Sequence, residues 1–175
     1  MDVWDASVDG KPRQAGIAGV SMAGFKILGF NHTSFTVSDL DRTIRFFVEA
    51  CGFELLTRGP RDAGLLEKMT AIPGADVEIA FVQGLGHRLE LIEYKGPADR
   101  AVIQSRLCDA GSAHIGLDVD SIEAAVATAR DYGFELAGEI ITIDNGPNAG
   151  RRVAYTRDQD GVTVEYLQAA SSGAQ

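Results

Sequence analysis

The spacing of apolar residues changes several times along the chain, and each change marks an element. His32 to Val37 carries Thr, Phe and Val, side chains that suit a pleated surface, and predicts a strand. Leu40, Ile44, Phe47 and Val48 then recur at helical intervals and form one apolar stripe. Ser38 followed by Asp41 has the spacing of a capping box, and Gly52 stands where a left-handed residue would end the helix. From His114 the same succession returns. Asp120, with Glu123 three residues on, is the expected cap. Ile122, Ala125, Val126 and Ala129 form the stripe, and Gly133 stops it.

The two stretches are copies of one pattern, NHTSFTVSDLDRTIRFFVEACGFEL from Asn31 and AHIGLDVDSIEAAVATARDYGFEL from Ala113. Each begins with a histidine and has a valine five residues later, Val37 or Val119. Each ends on Gly-Phe-Glu-Leu, at residues 52–55 and 133–136. Downstream, VEIAFVQGLGHRLELIEY (77–94) and RRVAYTRDQDGVTVEYLQ (151–168) each read as a strand, a turn and an alternating strand, a hairpin. Each half is therefore strand, helix and three further strands. The expected organisation is a tail over 1–25, a first module over 26–95, a linker over 96–111 with a short helix around Arg100 to Leu107, a second module over 112–168, and a tail over 169–175. Residues 59–75, with Leu65, Leu66 and Met69 between two breaks, are a candidate lid or a loop packed on the sheet.

Composition narrows the classes. The chain has 175 residues, 45% apolar and 23% charged, the balance of an ordinary globular domain. With a net charge of −9 and Arg151-Arg152 as the longest basic pair, it offers no stripe to neutralise nucleic-acid phosphates. No run approaches the roughly 20 apolar residues of a membrane span, and the first residues are not those of a signal peptide. Cys51 and Cys108 form no C-x-x-C pair, so reduced thiols in the cytoplasm are expected.

The candidate chemistry comes from strand parity. Alternate residues face opposite sides of a sheet. Leu89 and Leu91 oppose Glu90 and Ile92; Val162, Val164 and Tyr166 oppose Thr163, Glu165 and Leu167. The wholly apolar sets should lie under the helices, leaving Glu90 and Glu165 on the other face. A carboxylate buried there would be costly unless a cation met it. His32 and His114 open the first strand of each half, and imidazole is a common transition-metal ligand. A lone histidine or glutamate in a strand is usually structural, but matched placement in two copies points to a metal. His32, Glu90, His114 and Glu165 would give one divalent metal (Ni, Co, Mn, Fe or Zn) a mixed nitrogen and oxygen shell with open positions. His87 and Glu93 have the wrong parity. Arg58, Arg61 and Lys95 are candidates to bind a phosphate or carboxylate of a larger substrate.

The motifs Asn31-His32-Thr33, Leu89-Glu90-Leu91-Ile92-Glu93-Tyr94, Ala113-His114-Ile115-Gly116 and Asp160-Gly161-Val162-Thr163-Val164-Glu165, in this order, resemble the vicinal oxygen chelate superfamily. That superfamily includes glyoxalase I, methylmalonyl-CoA epimerase, bleomycin- and fosfomycin-resistance proteins and extradiol dioxygenases. The stretches 72–75 and 146–150 resemble it too, and the likeness runs from about Gly29 to Gln168. It implies an α+β fold, two βαβββ modules forming a cup-shaped eight-stranded mixed sheet around the metal. It places His32, Glu90, His114 and Glu165 where glyoxalase I has its two histidines and two glutamates. It also implies a small-molecule substrate and a homodimer, with the cup closed within one chain or across two. The linker of about 16 residues reaches far enough for either.

The expected activity is metal-dependent proton transfer next to a carbonyl, an isomerisation, epimerisation or lyase reaction on a substrate chelated through vicinal oxygens. Glu165 is the first choice of base and Glu90 the second. The competing expectations are a methylmalonyl-CoA epimerase-like enzyme, a fosfomycin-type transferase, a ring-cleaving dioxygenase and, in another class, a protein that sequesters a small molecule as bleomycin-resistance proteins do. Glu90 weighs against the dioxygenase, whose ligand set has no carboxylate there.

Overall fold

The computed structural model describes residues 24–103 and 105–170. The chain divides into two compact units, Met1–Asn31 and His32–Gln175. The described part of the first, from Gly24, has no helix or strand and exposes Phe25, Ile27, Leu28 and Phe30. The tails expected over 1–25 and 169–175 lie largely outside the described residues.

The second unit carries both copies of the repeat. The first comprises β1 (Thr33–Thr36), α1 (Leu40–Arg45), β2 (Glu54–Pro60), α2 (Ala63–Thr70), β3 (Asp76–Gly84) and β4 (His87–Gly96). The second comprises β5 (Ile115–Val119), α3 (Ile122–Asp131), β6 (Glu135–Leu136), β7 (Ile141–Thr142), β8 (Arg152–Arg157) and β9 (Thr163–Gln168). The sheets have matching topologies. The first runs β1-β4-β3-β2 and the second β5-β9-β8-β6, with β7 also on β8. In both, the opening strand lies parallel to the last and the other pairings are antiparallel. β6 and β7 pair with opposite ends of β8, so together they occupy the place that β2 fills alone. Paired βαβββ modules are thus present, as two separate mixed sheets that do not close into a barrel.

Strand parity sorts the faces as expected. Leu89, Leu91, Val162, Val164 and Tyr166 are buried in the main core with Leu40, Ile44, Phe47, Ile122, Val126 and Ala129 from the helices. Burial of each such side chain contributes about 1.5–3 kcal/mol, which makes this face the main source of stability. The caps fall one residue later than the spacing suggested. Asp39, not Ser38, accepts the N–H of Arg42, and Ser121, not Asp120, accepts that of Ala124. A cap needs extended backbone with its oxygen aimed three residues on, and Asp39 and Ser121 supply both. Gly52 and Gly133 do take positive φ after the helices, at 71° and 83°.

α1 continues into a widened π-turn, Phe46–Ala50, closed by the N–H of Cys51 on the carbonyl of Phe46. The turn buries two adjacent phenylalanines in different surroundings. Phe47 packs near Phe53, with ring centroids 5.6 Å apart, while Phe46 stacks on Phe134 of the other module at 4.1 Å. Regular helical spacing picks out Phe47 and Val48 and passes over Phe46, yet Phe46 is buried and Val48 only partly so.

Two expected segments differ. Residues 59–75 are not a loop throughout: β2 runs to Pro60 and α2 follows, capped by Asp62 through the N–H of Leu65. The linker has no helix among its described residues around Arg100 to Leu107, and position 104 lies outside them. An ion pair between Arg106 and Asp109 and turns at 107–111 take its place.

Candidate functional site

Each half builds the same arrangement across three strands. In the first, Ser34 of β1 lies opposite Glu90 of β4, which lies opposite Phe81 of β3. In the second, Gly116 of β5 lies opposite Glu165 of β9, which lies opposite Tyr155 of β8. His32 and His114 stand two residues before Ser34 and Gly116, hence on the same face. The register brings each histidine to its glutamate. His32 Nε2 is 3.3 Å from Glu90 Oε2, and His114 Nε2 is 3.2 Å from Glu165 Oε2. An aromatic ring stands edge-on to each imidazole, Phe81 to His32 at 5.6 Å and Tyr155 to His114 at 5.4 Å. A Cβ at Gly116 would stand 3.6 Å from Glu165 Oε2, an ordinary contact distance.

These pairs are not buried as parity alone suggested. The glutamate side chains keep 16% and 18% of their exposure and the histidines 33% and 44%, so this face is only partly covered. The donor chemistry fits a divalent cation. Two ligand atoms each about 2.1 Å from one ion, on neighbouring vertices, stand roughly 3.0–3.4 Å apart. Both nitrogen-to-oxygen distances match that separation. The pairs, however, lie on separate sheets. Among the described residues no three or more His, Cys, Asp or Glu side chains gather as they would around one ion. The four sequence-selected residues therefore come together two by two.

Glu165 differs from Glu90 in one respect. The hydroxyl of Tyr155 donates to Glu165 Oε1 at 2.6 Å, while Phe81, at the matching place, has no hydroxyl. Burial and then this bond push the Tyr155 phenol up to about 12, so it remains a donor at neutral pH. The two hairpins, aligned, put Ala80-Phe81 against Ala154-Tyr155, so the repeat itself held the signal for this pair.

The remaining candidates settle elsewhere. His87 starts β4 beside Thr33, with Nε2 3.1 Å from its hydroxyl. Glu93 faces the helix side, where it accepts the N–H of Leu40 and pairs with Lys95. Arg58 is engaged by Glu78 and Asp41, and Arg61 by the carbonyls of Gly59 and Pro60. On the Glu90 face, Leu66 of α2 packs with Ala75, Val77 and Ile79 beside Phe81, Ile92 and Tyr94. α2 thus walls this face while exposing Leu65 and Met69. Along the same face a cavity of about 730 Å³ opens beside Thr36, Ile72, Tyr94, Arg100, Val102 and Ile103, a size typical of small-molecule sites. No helix among the described residues is long and apolar enough to cross a membrane.

The family model described as the glyoxalase/bleomycin resistance protein/dioxygenase superfamily matches residues 29–166. A 2-epi-5-epi-valiolone epimerase of an Actinomyces species is 32% identical over 142 residues, 78% of this chain and 77% of its own. A probable lactoylglutathione lyase of Vibrio cholerae is 30% identical over 155 residues, 84% of this chain and 93% of its own. Among solved structures, a glyoxalase family protein from Bacillus cereus superposes with a TM-score of 0.71 at 26% identity, covering 85% of this chain and 98% of that one.

Proposed function

The chain belongs to the glyoxalase/bleomycin resistance protein/dioxygenase superfamily, and from that premise we propose that it is a metal-dependent enzyme that moves a proton next to a carbonyl. The observation that carries the reading is the duplicated register that sets His32 on Glu90 and His114 on Glu165. An epimerase and a lactoylglutathione lyase are named among the relatives, and proton transfer at a carbon beside a carbonyl serves both. The four side chains would hold the ion, each pair contributing one nitrogen and one oxygen. A bound divalent cation supplies Lewis-acid stabilisation of the negative charge that develops on substrate oxygens.

The protein's own part is orientation and proton transfer. One glutamate takes the proton from carbon, the electron pair of that C–H bond passes toward the adjacent carbonyl, and the proton returns to carbon. Return to the opposite face gives an epimer, and return to the neighbouring carbon an isomer. A positioned carboxylate contributes on the order of 10²–10⁴-fold to such a step. Phe81 and Ile92 flank Glu90 on the same face of the sheet and give the substrate an apolar wall there.

Two ligands from one pair fall short of the three or four that protein metal sites use. We place the complete site between two copies of the chain, the His32–Glu90 pair of one facing the His114–Glu165 pair of the other. Separation of the pairs on two open sheets supports this. Subunit mixing tests it. His32→Ala and His114→Ala chains are each inactive alone; after mixing, a hybrid dimer holds one intact site, and random exchange restores roughly a quarter of the activity. No recovery despite exchange would place the site within one chain.

The reaction is tested with protein loaded with Ni(II), Co(II), Mn(II), Fe(II) or Zn(II). The substrates are 2-epi-5-epi-valiolone, the methylglyoxal–glutathione hemithioacetal and methylmalonyl-CoA. Turnover in D₂O with deuterium at the carbon beside the carbonyl is expected for one of them and is lost with chelator. A protein that binds these compounds tightly without turning any over would instead be a sequestering protein.

A further inference from the structure

We propose that Tyr155 is a positioning residue that makes the half-sites unequal, holding Glu165 as the fixed carboxylate and leaving Glu90 as the one free to detach and take the proton. This rests on the metal reading above. The two halves agree in almost every element of the site: histidine, glutamate opposite the residue two beyond it, aromatic ring edge-on to the imidazole. They differ at two places, Ser34 against Gly116 on the opening strand and Phe81 against Tyr155 on the third, and among the described residues Tyr155 is the one whose hydroxyl bonds a site carboxylate. Tyr155 donates to Glu165 Oε1 at 2.6 Å while Oε2 of the same carboxylate stands 3.2 Å from His114. Both oxygens of Glu165 are thus engaged. Phe81, across from Glu90, presents only ring carbons, and among the described residues no hydroxyl bonds the Glu90 carboxylate as Tyr155 bonds Glu165.

The difference bears on which glutamate can move. A carboxylate that would both help hold a cation and carry a proton from substrate needs freedom to turn toward carbon. Glu165 would have to break a short charge-assisted bond to do so. It would also strand the Tyr155 hydroxyl in a partly buried place. Glu90 breaks no such bond among the described residues; across the strands it faces Ser34 and Phe81, with Ile92 beside it. The sequence reading puts Glu165 first as base and Glu90 second; the hydroxyl at position 155 reverses that order. The same bond occupies Oε1 of Glu165 and leaves Oε2, the oxygen beside His114, as the one that would serve a cation held here. A partner behind a metal ligand typically changes affinity or activity by about 10–100-fold when removed.

Co(II) is the probe, titrated against a competing chelator and followed by its visible absorption. Tyr155→Phe, which keeps the ring and the fold, should bind Co(II) about 10–100-fold more weakly, with an altered spectrum. Glu165→Gln should weaken binding more than Glu90→Gln does. Phe81→Tyr places a hydroxyl beside Glu90; it should leave affinity equal or tighter and lower kcat with KM nearly unchanged. In D₂O, with the substrate that turns over in the preceding assay, Glu90→Gln removes exchange at every Co(II) concentration, while Glu165→Gln recovers it as Co(II) rises. Tyr155→Phe with wild-type affinity and spectrum, or exchange that survives in Glu90→Gln and is lost beyond rescue in Glu165→Gln, overturns the proposal alone. Failure of the wild-type protein to bind Co(II) stoichiometrically overturns the metal reading and this proposal together.

Discussion

Replacing Arg42 with methionine tests what joins the modules. Arg42 lies on α1, and its Nη2 donates to Asp158 Oδ2 at 3.1 Å and Asp160 Oδ2 at 2.9 Å, both in the turn between β8 and β9. The two carboxylates are almost wholly buried, at 1% and 4% exposure, and Arg42 keeps 19%. The turn is further tied by the backbone N–H of Ser38 on Asp160 and by Gln159 on the Ser38 hydroxyl. Methionine retains an aliphatic stem of similar reach, so the loss falls mainly on charge. Removing one partner of a buried pair costs about 3–5 kcal/mol, and here two carboxylates would be stranded. The expected loss at pH 7 is therefore about 4 kcal/mol, a large part of the stability of a typical domain. Urea unfolding measures it, and Asp160→Asn in the Arg42→Met background should restore part of it.

The pH dependence has a definite sign. Burial, and then the charge of Asp160, hold the Asp158 carboxyl above its ordinary value; Arg42 pulls it down without winning. Between the ordinary and the raised value the folded chain keeps a proton that the unfolded chain has lost. Stability therefore falls as pH rises through that window. Without Arg42 the folded value rises further and the window widens upward. The deficit of Arg42→Met should be greatest at neutral pH and shrink on acidification. A loss under 1 kcal/mol at pH 7, or a deficit that grows toward acid, would refute this account of the cluster.

Three further outcomes follow from packing. Burial raises the Cys51 thiol to about 12 while Cys108 is exposed, so a thiol reagent at pH 8 should label Cys108 rapidly and Cys51 only on unfolding, as peptide mapping would show; fast labelling of both contradicts it. Phe46→Ala should cost about 3–5 kcal/mol in urea unfolding, because the ring is buried against Phe134; a cost under 1 kcal/mol would mean this stack does not hold the modules. Gly84→Ala puts a Cβ 2.5 Å from the buried Phe53 ring and should cost about 1–3 kcal/mol by the same measurement, with no loss counting against the close approach.

What the sequence made legible is what a short-range rule determines. Period two placed Leu89 and Leu91 beneath α1 and Glu90 opposite them without reference to any other strand, and the structure keeps that division. The positive φ of Gly52 and Gly133 is equally local. The caps moved by one residue because a cap depends on backbone angles as well as residue type: Asp39 and Ser121 have the extended geometry that the spacing of Ser38 and Asp41 could not reveal. Phe46 was passed over because the π-turn breaks the period on which the stripe was counted. α2 escapes the pattern because eight residues with one buried leucine leave little periodic trace.

The candidate site divides along the same line. Each His–Glu pair follows from one parallel register, Ser34 on Glu90 or Gly116 on Glu165, and so from the repeat. The approach of one pair to the other is written in no strand; it depends on how two open sheet faces meet, a matter of surface rather than period. Tyr155 belongs to the legible part, since the same parity that finds Glu165 finds the residue across from it on β8. Duplication hid it. A repeat draws attention to what its copies share, and the hydroxyl that bonds Glu165 stands at a position where the copies differ, Tyr155 against Phe81.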